Sequence, residues 1–533
     1  MHCKHSFIPY SATGYFSKIV EDYLADADAL RPFYHYRPTL EGIKQSISSR
    51  KSTLTNRTLL VETLTNQYAS IPISDQVKDN IQLLLKENVF TITTAHQPNI
   101  FTGPLYFIYK IMHVVKLAEE LNAEFTGEHF IPVYYMGSED ADLDELGFVN
   151  VGGQKLTWQT KQTGAVGRMK VDQPFIQLIH QIEGQIAVLP NGTSLILLFK
   201  QCFSLGKTIQ QATLELVNNL FAEFGLIVVI PDNAKLKSTF QHVIKKELFE
   251  GFSHQIVAAT TNELSLHYKV QAAGRAINLF YLKDDKRERI ELSADNRYEV
   301  QSLQLSFSKE EILTELQEHP ERFSPNVILR GAFQETILPN VAFIGGGGEL
   351  AYWLELKNVF NAINVPYPVL ILRNSFVFVE RNQHERLMKL GMLDQALFTK
   401  TQNFINNMVL EASNNQLSIA NELAEFEALY QKMQHLAAAI DPSLVDHVMS
   451  LKSNAIKKIQ ALEKKMLRSE KDKFKVSIDQ INQIKSSLFP DNNLQERSDN
   501  FSLYYAKYGK AWMSSIYNAS KGLQQQFGVI YVA

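Results

Sequence analysis

The sequence predicts an α/β protein in which a parallel-sheet core is joined to a long helical arm. Two apolar, β-branched segments at residues 89–95 and 130–136 flank residues 105–121, where apolar side chains recur at helical spacing. Alternation of strand, helix and strand, with strands whose composition suggests burial, is typical of a parallel sheet covered by helices. From residue 392 to residue 508 the chain contains no glycine and few strand patterns. We therefore expect a sheet-containing core followed by a helical region.

The composition excludes several classes of protein. At about 150 residues per domain, 533 residues correspond to three or four domain-sized units. A content of 45% hydrophobic and 20% charged residues is that of a globular protein, and a net charge of -3 provides no positive surplus for nucleic acid or an anionic membrane. Two cysteines, Cys3 and Cys202, are too few for a disulfide framework or a four-cysteine zinc site. With no signal-peptide pattern and no apolar run of membrane-spanning length, we expect a cytoplasmic protein.

The core elements can be predicted in chain order. Residues 1–85 show helical and loop patterns, and insertions between sheet elements are expected at about residues 150–205 and 250–320. Thr102 is placed to cap the helix that begins at residue 105, and Pro104 suits its first turn. The predicted elements are strand 89–95, helix 105–121, strand 130–136, helix 208–224, strand 225–230, strand 326–330, helix 349–360 and strand 366–372.

Polar loops are expected at the carboxyl ends of these strands, where open α/β sheets bind their ligands. They are residues 96–103, 138–145, 330–335 and 373–375. If the strands are neighbours in one sheet, the loops converge on a single site. The backbone N–H groups at the start of the helix after residue 103 would then favour an anionic group such as phosphate or carboxylate.

The loop at residues 96–103 is the first candidate for ligand binding. His96, Gln97, Asn99 and Thr102 can offer side-chain donors, and Gly103 allows a ligand to approach the backbone. The alternative is a plain turn with a capping threonine, and the pattern alone favours neither.

Acidic and basic side chains supply the second group of candidates. A metal or an amine could be bound by Glu139, Asp140 and Asp142, with the adjacent Asp144 and Glu145. Carboxylates this close together also raise one another's pKa, as a catalytic acid requires. Arg330 and Arg373 each follow a β-rich segment and suit a carboxylate or phosphate. A solvated acidic surface and structural ion pairs are the alternatives.

Common catalytic signatures are missing from the sequence. The glycine block at residues 345–348 precedes a helix, but Leu350 stands where a dinucleotide-binding motif needs its third glycine. Residues 205–208 resemble the end of a P-loop, yet Gln201 replaces the required earlier glycine, so we interpret Lys207 and Thr208 as the start of a helix. The histidines show no metal-binding spacing, and no metal ligand is predicted.

The helical arm is expected over residues 379–491. Apolar side chains from Val448 to Met466 recur every three or four positions, which predicts a long amphipathic helix. With residues 401–436 it would form an antiparallel coiled coil that turns at Asp441 and Pro442. Residues 492–533, which contain aromatic residues and two strand-like pieces, are expected to pack back on the core at residues 1–378.

Taken together, these segments resemble the cysteine ligase family of bacillithiol biosynthesis. The resemblance runs in order over most of the chain: residues 96–110, 138–142, 278–282, Arg330 with Gln334 and residues 338–339, residues 345–352, Arg373 with Ser375, residues 494–497, and Tyr508 with Gly509. This chain has Ala95-His96-Gln97 where the family commonly has Gly-Gln-Gln, and it has Gly347 where the family often has proline.

The resemblance implies a Rossmann-like core with connecting insertions, similar to class I aminoacyl-tRNA synthetases, and a coiled-coil arm that forms a homodimer. It implies a ligase that joins the carboxyl group of cysteine to the amine of glucosaminyl malate. Because a free carboxylate is a poor acyl donor, we expect activation by a nucleotide, with ATP or ADP and Mg²⁺ as the cofactors. Substrate contacts are implied for Ser138, Gln334, Gly346, Tyr352 and Ser375 besides the residues above, and nucleotide contacts for Arg497, Tyr508 and Gly509. Alternatives are another carboxylate–amine ligase, a nucleotidyl transferase, or a non-enzymatic coiled-coil assembly protein.

Overall fold

A computed structural model describes residues 1–271 and 274–533. The chain divides into two compact units. The first contains Met1–Phe378 and Asn493–Ala533, so both ends of the chain belong to it. The second contains Val379–Asn492. Within the described residues, no helix combines the length and hydropathy needed to cross a membrane.

The chain forms sixteen strands within the described residues, numbered here in chain order. They are β1 (Cys3–Ile8), β2 (Val89–His96), β3 (His129–Met136), β4 (Phe148–Val151), β5 (Gln154–Thr157), β6 (Ile227–Val229), β7 (Leu279–Lys283), β8 (Lys286–Arg289), β9 (Glu291–Leu292), β10 (Tyr298–Val300), β11 (Leu305–Phe307), β12 (Phe323–Pro325), β13 (Asn340–Gly345), β14 (Val369–Leu372), β15 (Phe376–Val379) and β16 (Phe527–Val532).

The helices of the first unit surround these strands. They are α1 (Lys18–Leu24), α2 (Leu40–Lys51), α3 (Arg57–Tyr68), α4 (Asp75–Leu83), α5 (Tyr106–Glu124), α6 (Leu143–Leu146), α7 (Gln173–Ile186), α8 (Gly192–Cys202), α9 (Ile209–Phe221), α10 (Ala234–Ser238), α11 (Gln241–Glu250), α12 (Phe252–Ser265), α13 (Lys309–Glu318), α14 (Val327–Ile337), α15 (Gly347–Leu354) and α16 (Lys357–Ala362), followed near the C-terminus by α22 (Gln495–Ser498), α23 (Phe501–Tyr508) and α24 (Lys510–Ala519).

A five-stranded parallel sheet forms the centre of the first unit. Its strand order is β14-β13-β2-β3-β6, and each neighbouring pair is parallel. From β2 the chain proceeds outward to β3 and β6, and it then returns to the other side of β2 to add β13 and β14. The direction of the strand order therefore reverses between β2 and β13. In open α/β sheets, the crevice at the carboxyl ends of the strands on either side of this reversal is the usual ligand site.

The apolar core lies between this sheet and the helices that cover it. Helix α2 contributes Ile43 and Ile47, and α5 contributes residues from Val114 to Leu121, which pack against Phe90, Ile92 and their neighbours on the strands. All eight residues of β2 are buried, which explains why this strand is rich in apolar and β-branched residues, including buried threonines.

Smaller antiparallel sheets complete the first unit. Strand β16 pairs with β1 and β15, so that Cys3 lies opposite Val532 and the two ends of the chain are joined. The insertions contain the hairpin β4–β5, a sheet of order β12-β7-β8 and a sheet of order β11-β10-β9.

The second unit is helical. Its helices are α17 (Arg381–Lys389), α18 (Thr401–Ala412), α19 (Ala420–Ile440), α20 (Leu444–Lys471) and α21 (Lys475–Leu488). Helices α19 and α20 pack along each other, and Asp441 and Pro442 lie in the turn between them. The turn lies where it was predicted, but the partner predicted over residues 401–436 is divided into α18 and α19, with a break at residues 413–419.

Most predicted elements of the core are present with small shifts of their bounds. Thr208 caps α9 in a reciprocal arrangement with Gln211, which confirms that Lys207 and Thr208 precede a helix and not a phosphate loop. The cap predicted for α5 is wrong: residue 105 occupies the cap position, and Thr102 instead lies in a turn with φ of 71°.

Three other predictions are wrong. Residues 326–330 are not a strand, because Asn326 caps α14 and its side chain accepts a hydrogen bond from the Ile328 N–H. The sheet strand of this region is β13, which sequence reasoning missed, as it missed β1 in a region expected to be helices and loops. The tail contains three helices and one strand instead of two strand-like pieces. Local patterns do not distinguish a short apolar strand from a buried helix.

Candidate functional site

A cavity of about 630 Å³ opens at the carboxyl edge of the central sheet, at the reversal between β2 and β13. It is lined by Ala95, His96, Gln97, Tyr106, Lys110, Tyr135, Gly137, Ser138, Glu139, Asp140, Glu145, Pro231, Arg275, Ile277, Leu279, Phe280, Arg287, Arg289, Pro325, Asn326, Val327, Arg330, Phe333, Gly346, Gly347, Gly348, Glu349, Tyr352, Arg373 and Arg497.

His96 and Gln97 line this cavity directly after β2. Burial lowers the pKa of His96 well below its usual value, and the positive charges of Lys110, Arg373 and Arg330 lower it further, so the ring is neutral. Its Nε2 atom is buried and has no hydrogen-bond partner among the residues that the structure describes. Gln97 donates from Nε2 to the Asp140 carboxylate at 3.1 Å. A neutral imidazole nitrogen facing a cavity is available to a ligand.

The other three candidates of this loop do not line the cavity. Asn99, Thr102 and Gly103 form the turn behind it, and Asn99 and Thr102 are buried. Gly103 has φ of 64° and ψ of -141°, a conformation that favours glycine, and an added Cβ would lie 2.7 Å from the Asn99 Cβ. His96 and Gln97 therefore lie in the site, whereas Asn99, Thr102 and Gly103 form the turn behind it.

The three predicted catalytic carboxylates occupy different environments. Glu139 lines the cavity but pairs with the buried Lys237 amine, and it accepts a hydrogen bond from Ser324 at 3.1 Å. Asp140 lines the cavity and has no basic partner within ion-pair distance in the described part of the chain. Asp142 is exposed and does not line the cavity, because its carboxylate caps α6 by accepting the Glu145 N–H.

Glu145 is a further carboxylate of the cavity. Burial raises its pKa above the usual value, and the nearby charges of Asp140 and Asp142 raise it further. Sequence reasoning noted Glu145 within the acidic run but did not select it. Ser138, in the same segment, is fully buried at the cavity wall, and its hydroxyl has no partner.

Lys237 belongs to a buried ionic network beneath Glu139. Its amine lies 4.0 Å from an Asp232 oxygen and donates to the Glu321 carbonyl at 3.0 Å. Arg168 binds the Asp232 carboxylate through two hydrogen bonds of 2.6 Å. These contacts neutralise Glu139 and leave Asp140 and Glu145 as the carboxylates available to the cavity.

Arg330 is a cation of the cavity that protein carboxylates leave available to a ligand. Its guanidinium donates to the Tyr352 hydroxyl at 2.7 Å, and among the residues that the structure describes no carboxylate lies within ion-pair distance of it. Burial opposes the charge, but the neighbouring Tyr352, Tyr135 and Glu349 side chains raise the pKa of Arg330 above its usual value. A half-buried guanidinium that faces a cavity and has no carboxylate partner suits an anionic ligand.

The glycine segment after β13 faces Arg330 across the cavity. Gly346 lines the cavity, and its N–H donates to the Glu349 carboxylate at 2.8 Å, while Glu349 also pairs with Lys110. The first residues of α15 have no intrahelical acceptor for their N–H groups. A Cβ added at Gly348 would meet no atom within 4 Å, so there is open space above the helix start.

Arg373 also lines the cavity, but protein groups use much of its hydrogen-bonding capacity. It donates to the Glu496 carboxylate at 2.7 Å, to the Ser375 hydroxyl at 3.0 Å and to the Asn374 carbonyl at 3.1 Å. Ser375 itself does not line the cavity. Gln334 is fully buried away from the cavity and donates to Glu335 at 2.9 Å.

The three residues predicted to bind a nucleotide do not lie together in the structure. Arg497 lines the same cavity as Arg330. Tyr508 packs its ring 5.8 Å from Phe378, and Gly509, with φ of 58°, joins α23 to α24. Neither Tyr508 nor Gly509 lines the cavity.

Sequence reasoning missed the basic residues that the insertions contribute. Arg275 and the β8 residues Arg287 and Arg289 line the cavity, and the Arg287 guanidinium lies 3.8 Å from the centre of the Phe280 ring. The basic segment Lys286-Arg287-Glu288-Arg289 was the available signal, and it was attributed only to an insertion.

The cavity as a whole is positively charged. The described residues that line it include seven lysines and arginines and four carboxylates, and two of those carboxylates are paired with lysines. No group of three or more histidines, cysteines or acidic residues in the described ranges is arranged to hold a metal ion by itself. The arrangement therefore favours an anionic ligand that also carries a basic group for Asp140 or Glu145.

Family models for bacillithiol biosynthesis BshC match almost the whole chain. The N-terminal Rossmann-like domain of BshC matches residues 1–374, and its C-terminal coiled-coil domain matches residues 376–532. These matches confirm the predicted fold class, a Rossmann-like core with a coiled-coil arm, and the resemblance found in the sequence.

Curated relatives described as "Putative cysteine ligase BshC" extend over the same length. The relative from Flavobacterium johnsoniae is 38% identical over 527 residues, which cover 98% of this chain and 99% of the relative. The relative from Christiangramia forsetii is 36% identical over 533 residues, with 98% of each chain covered. A solved structure described as a "putative arginyl t-RNA synthetase" from Campylobacter jejuni has 11% identity and a TM-score of 0.21, with 85% of this chain and all of that chain covered, and no conclusion rests on it.

Proposed function

The chain belongs to the BshC family of bacillithiol biosynthesis, and from this premise we propose that it is a ligase that joins the carboxyl group of cysteine to the amine of glucosaminyl malate. The observation that carries the proposal is the half-buried Arg330 guanidinium, which has no carboxylate partner within the described residues, in a cavity that also contains Asp140 and Glu145. Glucosaminyl malate combines carboxylates with an amine, so the charges of the cavity complement both ends of this substrate.

Arg330 is proposed to bind a malyl carboxylate. Its guanidinium is oriented by Tyr352, and the free N–H groups at Gly347 and Gly348 offer additional donors to an anionic oxygen. The insertion arginines Arg287 and Arg289 add positive charge on another wall of the cavity. Arg373 is proposed to shape the cavity instead of binding substrate, because Glu496 occupies its guanidinium.

Asp140 is proposed to accept the proton that the attacking amine releases. Its carboxylate is oriented by Gln97 and is not neutralised by a lysine, in contrast to Glu139. The amine nitrogen would form the new bond to the cysteine carbonyl carbon while the activating group leaves with the former carboxylate oxygen, and Asp140 would take up the amine proton. Glu145, whose pKa is raised, is the second group that can exchange protons at this position.

Carboxyl activation is proposed to use ATP with Mg²⁺, because a free carboxylate is a poor acyl donor. When bound, the nucleotide would supply the leaving group. The basic residues of the cavity, including Arg497, suit its phosphates, and the Mg²⁺ would enter bound to those phosphates.

The helical unit is proposed to form a homodimer. Helices α19 and α20 expose large apolar side chains, among them Leu436 at 68%, Ile440 at 82% and Met449 at 54%. An apolar stripe on the outside of a helical pair is a common site of association with a second copy.

The test is direct incubation of the purified chain with cysteine, glucosaminyl malate, ATP and magnesium, followed by mass spectrometry. Formation of bacillithiol that requires ATP supports the proposed ligase reaction. Formation without ATP would contradict nucleotide activation. Product with a different amino acid but none with cysteine would instead support another carboxylate–amine ligase on the same fold.

A further inference from the structure

The turn at residues 101–103, directly behind the cavity, has an unusual backbone. Phe101 has φ of 50° and ψ of 35°, Thr102 has φ of 71°, and Gly103 has φ of 64°. Positive φ is unfavourable for a bulky aromatic residue and for a β-branched threonine. Two consecutive non-glycine residues in this region require surrounding contacts that hold them there.

A single side chain provides much of that restraint. Asn500, which is 1% exposed, uses its Nδ2 amide to donate to both the Phe101 carbonyl, at 2.9 Å, and the Gly103 carbonyl. Its Oδ1 atom accepts the Ser502 N–H at 2.9 Å and caps α23. An asparagine has two amide hydrogens, and here each serves one carbonyl of the turn.

Backbone contacts attach the same C-terminal segment to the start of α5. Pro104 and Asn500 form an antiparallel bridge, and the Leu105 N–H donates to the Asp499 carbonyl at 2.8 Å. The ring of Phe101 is enclosed by Phe175, Phe199 and Phe203, with centroid distances of 4.9 to 5.1 Å. The turn is therefore fixed on one side by the aromatic cluster and on the other by Asn500.

The turn determines where α5 begins, and the first turns of α5 face the cavity. Tyr106 and Lys110 both line it, and Lys110 connects the helix to the Ala95 carbonyl at 2.9 Å and to Glu349. The segment that contains Asn500 also supplies Arg497 to the cavity and Glu496 to Arg373. The geometry assigns Asn500 as a positioning residue: it holds the strained turn at residues 101–103 in place so that α5 presents Tyr106 and Lys110 to the proposed ligase site.

The substitution Asn500→Asp tests this role most specifically. It keeps the acceptor that caps α23 but replaces both donors with a negative oxygen that faces two carbonyls. Asn56→Asp is the matched control, because Asn56 caps α3 through the Leu59 N–H and does not line the cavity. Hydrogen exchange of residues 99–106 should accelerate at least tenfold in Asn500→Asp and remain at the wild-type rate in Asn56→Asp.

A second substitution distinguishes positioning from general destabilisation. Thr102→Gly removes the penalty for positive φ, so the turn should need less restraint. In the Asn500→Asp background, Thr102→Gly should restore protection of residues 99–106 by at least threefold. Equal exchange of these residues in wild type and Asn500→Asp, or no effect of Thr102→Gly in that background, would overturn the inference.

Ligand titration and activity measure whether Asn500 affects the proposed ligase site. Calorimetric titration with L-malate, a probe for the malyl group, reports the number of competent sites separately from their affinity. A misplaced site should weaken the Kd at least fivefold in Asn500→Asp with the number of sites unchanged, whereas partial unfolding would lower only the number of sites. An unchanged Kd would contradict positioning.

The activity measurement rests on the proposed ligase function, and kcat/KM for glucosaminyl malate should fall in parallel with the affinity. If the wild-type chain formed no bacillithiol, the ligase proposal would fail by itself. The hydrogen-exchange results would still decide whether Asn500 holds the turn, because they need no ligand.

Discussion

The guanidinium of Arg373 lies 2.7 Å from a carboxylate oxygen of Glu496, and both side chains are buried. This pair joins the end of β14 to the C-terminal segment that returns to the core after the helical unit. A buried ion pair is costly to break, because removal of one partner leaves the other charge without solvent or a counterion. The pair therefore anchors the returning segment beside the cavity.

Loss of one partner of this pair should reduce stability strongly. Arg373→Ala should lower the free energy of unfolding by about 3–5 kcal/mol, measured by urea denaturation, because Glu496 would remain buried and unpaired. Lys510→Ala is the control, since its pair with Glu223 is 74% and 55% exposed, and it should cost less than about 1 kcal/mol. Similar effects of the two substitutions would contradict a buried anchor.

Asp140 and Asp142 should respond differently to loss of charge. Asp140→Asn should lower kcat about 10²–10⁴-fold, because the proposed proton acceptor is lost, with little change in stability. Asp142→Asn should leave kcat within about threefold of wild type, because this side chain caps α6 outside the cavity and asparagine caps a helix equally well. Steady-state rates of bacillithiol formation distinguish the two, and a larger loss in Asp142→Asn would reverse the assignment.

His113 should make the stability of the core depend on pH. The ring is buried, its Nδ1 accepts the Asn374 N–H at 3.1 Å, and its Nε2 contacts the Gly522 carbonyl at 2.7 Å. Burial lowers the pKa of His113 to about 4. Between pH 6.5 and 4 the unfolded chain binds a proton that the folded chain does not, so this contribution is present above pH 6.5 and decreases as the pH falls.

At about 1.4 kcal/mol per pH unit, the decrease attributable to His113 amounts to about 3 kcal/mol over that interval. Urea denaturation at pH 7, 6 and 5 should show a smaller decrease for His113→Gln than for the wild-type chain. The residual decrease in this variant includes His96, whose pKa is also lowered by burial. A steeper pH dependence in His113→Gln would contradict the neutral, buried state of this ring.

The exposed apolar side chains of α19 should determine the oligomeric state. Light scattering of the full chain should give the mass of a dimer, and Leu436→Lys combined with Ile440→Lys should give the mass of a monomer, because both side chains are exposed in the isolated chain. Leu266→Lys is the control, since Leu266 is 78% exposed in the other unit. A monomeric wild-type chain would contradict the proposed dimer.

The sequence was most informative where one segment determines its own structure. Strands β2 and β3 and helices α5 and α20 were predicted because buried parallel strands are rich in apolar and β-branched residues and long helices have a clear period. The convergence of His96, Gln97 and Asp140 followed from the rule that ligands bind at the carboxyl edge of an open sheet.

The sequence was least informative where distant segments meet. Nothing near Arg373 indicates that Glu496, 123 positions later, occupies its guanidinium, or that Lys237 neutralises Glu139. The role of Asp142 as a cap depended on where α6 begins, which local propensity does not fix within a few residues. The arginines of β8 were missed because a basic pattern is also typical of a solvated strand.

The central claim is that the cavity beside Arg330 binds the malyl end of the substrate, and steady-state kinetics of Arg330→Ala test it most directly. Charge-assisted hydrogen bonds of about 1.5–3 kcal/mol predict an increase of about 10- to 100-fold in the KM for glucosaminyl malate, with the KM for cysteine little changed. Arg386→Ala, on the exposed surface of α17, is the control and should match the wild type. An unchanged KM for glucosaminyl malate in Arg330→Ala would contradict the account.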